Sequence, residues 1–312
     1  MELELKKCHK NKMIWIVLGS ILVIILGLLL KRKKCSKGKK LKKYRLDSKF
    51  EIKISTGNLK NLKKNKKKFV GVFEFDGDLK ASARKSLSCF VDEIVFNREL
   101  IQEVVIKVES PGGSVSHYGH CMSEMERLRN AGISITVCVD TIAASGGYLM
   151  SLPAQKILAA PYAMIGSIGV MSFVPNIRKL LKKLDINPRT FTAGKFKRTV
   201  TLTDEAGPEE ISHYQNKLED IHHSFSSVVT KYRKDIIPDQ VCTGDYWLAE
   251  ETIAKDLKLI DGIQTSGQYL QDLNQNYHLV CLKEKKDWKA NLRKSIGMRL
   301  SQVLFGDDYL FM

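Results

Sequence analysis

Residues 103–139 read EVVIKVESPGGSVSHYGHCMSEMERLRNAGISITVCV, and this stretch decides the fold class. Glu103–Val108 is dominated by β-branched residues, the habit of a strand. Ser110-Pro111-Gly112-Gly113-Ser114 is a turn. Tyr118, Met122, Met125 and Leu128 then recur at helical spacing through Ser116–Asn130, and Gly132 stops that helix. Ile135–Val139 is the next strand. Strand, loop, helix and strand in this order form the unit of a parallel α/β sheet.

The same alternation extends both ways. Upstream, Phe69–Phe75 reads as a strand closed by Asp76-Gly77-Asp78, and residues 81–101 read as a helix. Downstream, Ala143-Ala144-Ser145-Gly146-Gly147 opens a helix carrying Tyr148, Leu149 and Met150. Lys156–Ala159 is a short strand ended by Pro161, and Ile165–Val170 is extended and punctuated by glycine. Helices are expected over Phe173–Leu184, over residues 207–235 and over Trp247–Asp261, the last capped by Gly262. Glycines cluster where strands give way to helices, the place where such sheets put ligand and catalytic groups. No internal repeat occurs.

The 312-residue chain carries a formal charge of +17, and its distribution excludes one obvious reading. Residues 1–68 hold 22 Lys/Arg and 4 Asp/Glu, whereas the rest holds 29 and 30. A globular nucleic-acid surface is therefore not expected, and a basic stretch beside anionic lipid is. Met13–Leu30 (MIWIVLGSILVIILGLLL) has no charge in 18 residues and spans about 27 Å as a helix, enough for a bilayer core. Lys31-Arg32-Lys33-Lys34 follows it instead of a small-residue cleavage pattern, so an uncleaved anchor is expected.

These features divide the chain into a flank (1–12), a transmembrane helix (13–30), a basic tether (31–68), a folded domain (69–265) and a C-terminal tail (266–312). In the tail, Trp288, Leu292, Ile296 and Leu300 form an apolar stripe, with Lys289, Arg293, Lys294 and Arg299 off it. Such a helix either packs on the domain or a neighbouring subunit, or lies on the membrane surface. The seven cysteines are odd in number and include no C-x-x-C, which excludes a disulfide framework and a zinc ribbon. Cys138, within Ile135–Val139, reads as a small buried hydrophobe.

Three local patterns could carry chemistry. Ser145 stands between small neighbours at a helix start, where oriented N–H groups favour a nucleophile; equally, serine is an ordinary N-cap. No histidine pairs with it evidently. His117 and His120, followed by Cys121, have ligand-like spacing, but no carboxylate or second cluster completes a metal site. Lys197, in A-G-K-F-K-R-T, has Phe196 as an apolar wall and Lys195 and Arg198 as like charges. A lysine becomes a base through such surroundings, although a solvated basic cluster has the same composition. Gly112-Gly113 lets backbone approach a substrate closely, or is simply a strand–helix turn.

Taken together, S-P-G-G at 110–113, A-A-S-G-G-Y at 143–148, G-S-I-G-V at 166–170 and T-A-G-x-x-K-R-T at 192–199 resemble the signal peptide peptidase A family. The similarity is greatest to its shorter, single-domain SohB-type members. It extends to the anchor, the tether, T-G-D-Y-W-L-A-E-E-T-I-A at 243–254 and the 52-residue separation of Ser145 from Lys197. The resemblance implies an α/β, crotonase/ClpP-like domain preceded by one transmembrane helix. It also implies a serine endopeptidase with a Ser–Lys dyad that forms an acyl-enzyme.

By position, Ser145 matches the nucleophile, Lys197 the general base and Ser167 the hydroxyl that orients the lysine. Gly113 and Gly146 match the oxyanion-hole donors. Lys195 occupies a position that the family motif leaves variable. No metal or other cofactor is implied. The implied partners are peptide or membrane-protein substrates, membrane lipid and further copies of the chain, since family members assemble into rings or domes. An alkaline rise in activity would accompany deprotonation of the lysine.

Two other readings share these residues: a crotonase-type acyl-CoA enzyme, and an inactive membrane scaffold. The family places its domain outside the cytoplasm on the bacterial inner membrane. The ten Lys/Arg between Lys31 and Arg45 argue for the cytoplasmic side.

Overall fold

The computed structural model describes residues 50–54, 68–197 and 199–284. The apolar run Met13–Leu30 and the amphipathic segment Lys286–Phe305 lie outside the described residues. Among the described residues no helix is long and apolar enough to cross a membrane.

The sheet is built on the predicted unit. Strands β2 (Phe69–Asp76), β3 (Ile101–Glu109), β4 (Ser134–Val139) and β6 (Lys156–Ala159) run parallel and adjacent, ending in the two-residue strand β9 (Gly262–Ile263). Helices α1 (Arg84–Phe96) and α2 (Val115–Asn130) make the first two crossovers. On the other side of β2 lies β10 (His278–Glu284), parallel to it, and then β1 (Phe50–Ile54), antiparallel to β10. The order is β1-β10-β2-β3-β4-β6-β9.

Alternation along the strands sorts the core into two faces. Phe73, Phe75, Val104, Ile106, Ile135, Val137 and Ile157 join the main cluster with Leu87, Phe90 and Ile94 of α1 and Met125 and Leu128 of α2. Val70, Val72, Val105, Cys138 and Leu158 point the other way, onto Tyr269, Leu270 and Leu273 of α8 (Ser266–Asn276). Burial on both faces is why these strands read as continuous apolar runs. Helix α1 lies directly on the sheet at Gly71, where a Cβ would sit 2.6 Å from Ile94 Cδ1 and 3.2 Å from Phe90 Cζ. The Phe90 ring tilts against Phe73 at 5.1 Å. Phe90→Ala should remove about 3–5 kcal/mol of stability, read as a lower urea midpoint at unchanged slope.

A second sheet, β5-β7-β8, comprises β5 (Ile142–Ala144), β7 (Met164–Gly166) and β8 (Tyr246–Leu248). Strand β5 pairs parallel to β7, and β8 antiparallel to it. It joins the main sheet where Ser110 N–H donates to Ile142 O at 2.8 Å and Ala144 N–H to Ser110 O at 3.0 Å. Helix α3 (Gly146–Ser151) follows β5 immediately.

Several elements differ from expectation. Trp247 is a strand residue opposite Ile165, not the start of a helix. The helix there, α7, covers only Ala249–Ala254, because Asp256 and Lys258 take positive φ values of 54° and 58°. Expected Phe173–Leu184 shrinks to α4 (Arg178–Lys183), whose own residues include none that is buried. The long helix α5 (Pro208–Tyr232) is present, with only Phe225 and Val229 buried, and the short α6 (Pro238–Val241) follows it. Residues 266–284, read as tail, contribute α8 and β10 to the domain, and the tether contains β1. Backbone pairing with β10 places Phe50–Ile54 in the sheet although its flanks are lysine-rich.

Candidate active site

The two glycine-bearing loops meet at Ser145. Residue 145 sits between β5 and α3 with φ 49° and ψ −118°, a conformation that L-residues rarely adopt. The strain is held from both sides: Ser145 N–H donates to Gly166 O at 2.8 Å, and Leu149 N–H donates to Ser145 O at 2.9 Å. Among the described residues Ser145 Oγ makes no hydrogen bond. It caps no N–H of α3 either, which sets it apart from an ordinary serine N-cap.

Gly112 presses against this serine. Its φ is +98°, and a Cβ there would lie 2.7 Å from Gly146 N and 2.8 Å from Ser145 Cβ. Gly113 has φ +147°, and a Cβ would fall 2.4 Å from Leu79 O. No side chain larger than hydrogen fits at either position. The two N–H groups differ in use. Gly112 N–H donates to Ser110 Oγ at 3.2 Å, whereas Gly113 N–H has no protein acceptor among the described residues. Gly146, the first residue of α3, has no carbonyl one turn back to bond. The turn and the helix start thus bring two uncommitted donors to the neighbourhood of one uncommitted hydroxyl.

Ser167 follows β7 as Ser145 follows β5, and Ala144 pairs with Gly166 in register. Its φ is 50°, and its N–H donates to Asp245 O at 2.6 Å. The segment carrying Asp245 packs closely on this turn. A Cβ on Gly166 would meet Trp247 Cε3 at 2.9 Å, and one on Gly169 would meet Gly244 Cα at 2.8 Å. Asp245 and Trp247 were missed as site supports because their signal is a backbone contact between distant segments. Its traces in the sequence are Gly169 and Gly244, whose backbones meet here, and the segment at 243–254.

Lys197 is not brought to Ser145 within one chain by any hydrogen bond among the described residues. It is exposed in the irregular segment after α4 and lines an open cleft of about 580 Å³ with Arg189, Thr190, Phe191, Thr192 and Ala193. The expected apolar wall is elsewhere: the Phe196 ring stacks on His213 at 3.8 Å. Lys195 is committed to an ion pair with Glu209. The surrounding segment is rich in exposed apolar side chains, with Phe191 89%, Phe173 64%, Leu184 60% and Ile186 50% exposed.

A larger cavity of about 750 Å³ beside Arg129, Lys231 and Arg233 holds charges that are already paired, Arg233 with Asp261 and Lys231 with Glu126. Among the described residues no group of His, Cys, Asp and Glu could hold a metal ion. Burial pushes the Cys121 and Cys138 thiols up to about 12, which leaves neither as a nucleophile.

Residues 127–279 match the model of "Peptidase family S49", and residues 29–125 that of "Peptidase family S49 N-terminal". The chain is 38% identical to "Probable protease SohB" of Haemophilus influenzae, over 77% of this chain and 67% of that one. It is 35% identical to "Probable protease SohB" of Buchnera aphidicola from Acyrthosiphon pisum, over 80% and 75%. "Protease 4" of Salmonella typhi is 28% identical over 50% of this chain and 26% of its own.

Proposed function

The chain belongs to peptidase family S49 and is SohB-like, and from that premise we propose that it is a membrane-anchored serine endopeptidase with Ser145 as nucleophile and Lys197 as general base. The domain is crotonase/ClpP-like, anchored by Met13–Leu30, and its substrates are signal peptides or membrane-associated polypeptides.

One observation carries the reading: the Ser145 hydroxyl stands unbonded on a strained turn beside the uncommitted N–H groups of Gly113 and Gly146. A carbonyl carbon attacked by Ser145 Oγ would place its oxygen toward these donors, whose orientation is fixed before substrate arrives. Lys197 Nζ takes the serine proton, and the tetrahedral adduct collapses to an acyl-enzyme as the protonated lysine donates to the leaving amine. Water activated by the same amine releases the acyl group. Ser167 orients that amine.

Lys197 acts on a neighbouring copy in a homo-oligomer. Two facts support this: its exposed position without a bond to its own Ser145, and the apolar side chains exposed around it. Assembly covers those side chains and dries the site, which a lysine base requires.

The test is labelling of the detergent-solubilised chain with a fluorophosphonate, followed by peptide mapping. Modification is expected at Ser145 alone. Labelling elsewhere refutes the assignment in favour of another nucleophile, and no labelling refutes it in favour of an inactive scaffold.

A further inference from the structure

Behind the Gly113 donor runs a buried chain of hydrogen bonds that the peptidase mechanism above leaves unused. Gly112 N–H donates to Ser110 Oγ at 3.2 Å, Ser110 Oγ lies 2.7 Å from Tyr118 OH, and Tyr118 OH lies 2.8 Å from Asp78 O. The direction of the chain is forced. Asp78 O is a carbonyl and only accepts, so Tyr118 donates to it. Tyr118 has one proton, so it accepts from Ser110. The Ser110 proton being spent, its lone pair takes the Gly112 N–H.

The hub has no slack. Ser110 and Tyr118 are both fully buried. A Cβ on Gly77 would fall 2.3 Å from Ser110 Oγ and 2.7 Å from Tyr118 OH. One on Gly146 would fall 2.5 Å from Tyr118 Cγ, and one on Gly147 would fall 2.6 Å from Ser110 O. The Ser110 backbone is bonded on both sides to β5, one residue ahead of Ser145. Tyr118 therefore touches the start of α3 with its ring and anchors the 110–113 turn through its hydroxyl. Burial pushes that hydroxyl up to about 12, so it is a neutral donor across the working range of an enzyme.

We propose that Ser110 and Tyr118 are positioning residues of the oxyanion site: they draw Gly112 N–H inward, so that Gly113 N–H is the one presented to substrate. The proposal rests on the peptidase reading of Ser145. The peptide between two glycines flips readily, and a flip here would replace Gly113 N–H by Gly112 O at the substrate; holding Gly112 N–H on Ser110 Oγ fixes the residue before that peptide and restrains it. A buried chain satisfied at every link selects a single arrangement.

Tyr118→Phe keeps the ring against Gly146 and removes only the hydroxyl. On the full-length enzyme it should lower kcat by about 10- to 50-fold with KM within about twofold, part of the effect of losing an oxyanion donor outright. Affinity for a peptide aldehyde, whose hemiacetal oxygen needs the same donors, should fall by a similar factor. Ser110→Ala should behave alike, and the double variant should lose no more than the worse single one, because both break one chain. Tyr269→Phe, which removes a hydroxyl bonded to Glu103 on the opposite face of the sheet, is the control for a purely structural loss.

Folded Tyr118→Phe or Ser110→Ala with unchanged kcat and unchanged aldehyde affinity overturns the proposal. So does a loss confined to KM. If Tyr118→Phe does not fold, Ser110→Ala alone decides. Wild-type enzyme that forms no adduct at Ser145 refutes the peptidase reading instead, so the two failures are told apart.

Discussion

Ser145→Ala is expected to yield a folded protein whose kcat is lower by on the order of 10⁶-fold. The size of the effect follows from what the side chain does. Its hydroxyl makes no hydrogen bond among the described residues and caps no helix. Its removal leaves no partner stranded, and the expected change in stability is within about 0.5 kcal/mol. On the proposed mechanism all of the loss falls on the transition state, because the hydroxyl supplies the attacking oxygen. Peptide hydrolysis measured beside thermal unfolding checks both halves. A variant keeping about a hundredth of wild-type kcat would show that another nucleophile operates.

Lys197→Ala is expected to be as inactive by itself, and its partner experiment is more informative. When Ser145→Ala and Lys197→Ala chains are refolded together in detergent, activity should return to about a quarter of wild type, the chance that a random neighbouring pair supplies both an intact serine and an intact lysine. Neither parent has any activity to contribute, so recovery requires a site shared between copies. The reason to expect it is geometric. Lys197 is exposed, Lys195 is tied to Glu209, and Phe196 is stacked on His213, so the segment is ordered by contacts that do not include Ser145. Mixtures that remain inactive would place the base within the same chain.

The sequence made the parallel core legible because burial on both faces leaves a plain trace. Val104–Ile106 and Ile135–Val139 are uninterrupted runs of residues that suit strands, and the glycines at 112–113 and 146–147 mark where the chain turns sharply beside them. Other elements left no such trace. His278–Glu284 mixes polar and apolar residues in seven positions, and its pairing with β2 and β1 makes it a strand. Trp247–Asp261 has charges at helical spacing, but the pairing of Trp247 with Ile165 outweighs local preference at its start. Asp256 and Lys258 end the helix in the left-handed region without a glycine to announce it.

The site divides in the same manner. Residues fixed by local turns, Ser145, Gly113, Gly146 and Ser167, stand out by composition. Supports that act across long separations, Tyr118 on Asp78 and Asp245 on Ser167, do not. The 52-residue spacing of Ser145 and Lys197 says nothing of their distance in space.

The sheet order also governs how the chain comes to be folded. Among the described residues strand β1 sits at one edge and pairs with β10, the last strand described. Synthesis delivers β1 first and β10 last, so β1 and the outer edge of β2 stay unpaired on the ribosome until nearly the whole domain has emerged. The core strands β2 to β6 can assemble meanwhile, since their pairings span far shorter stretches of chain than that of β1 with β10. The final closure of the described sheet joins the beginning of the domain to its end.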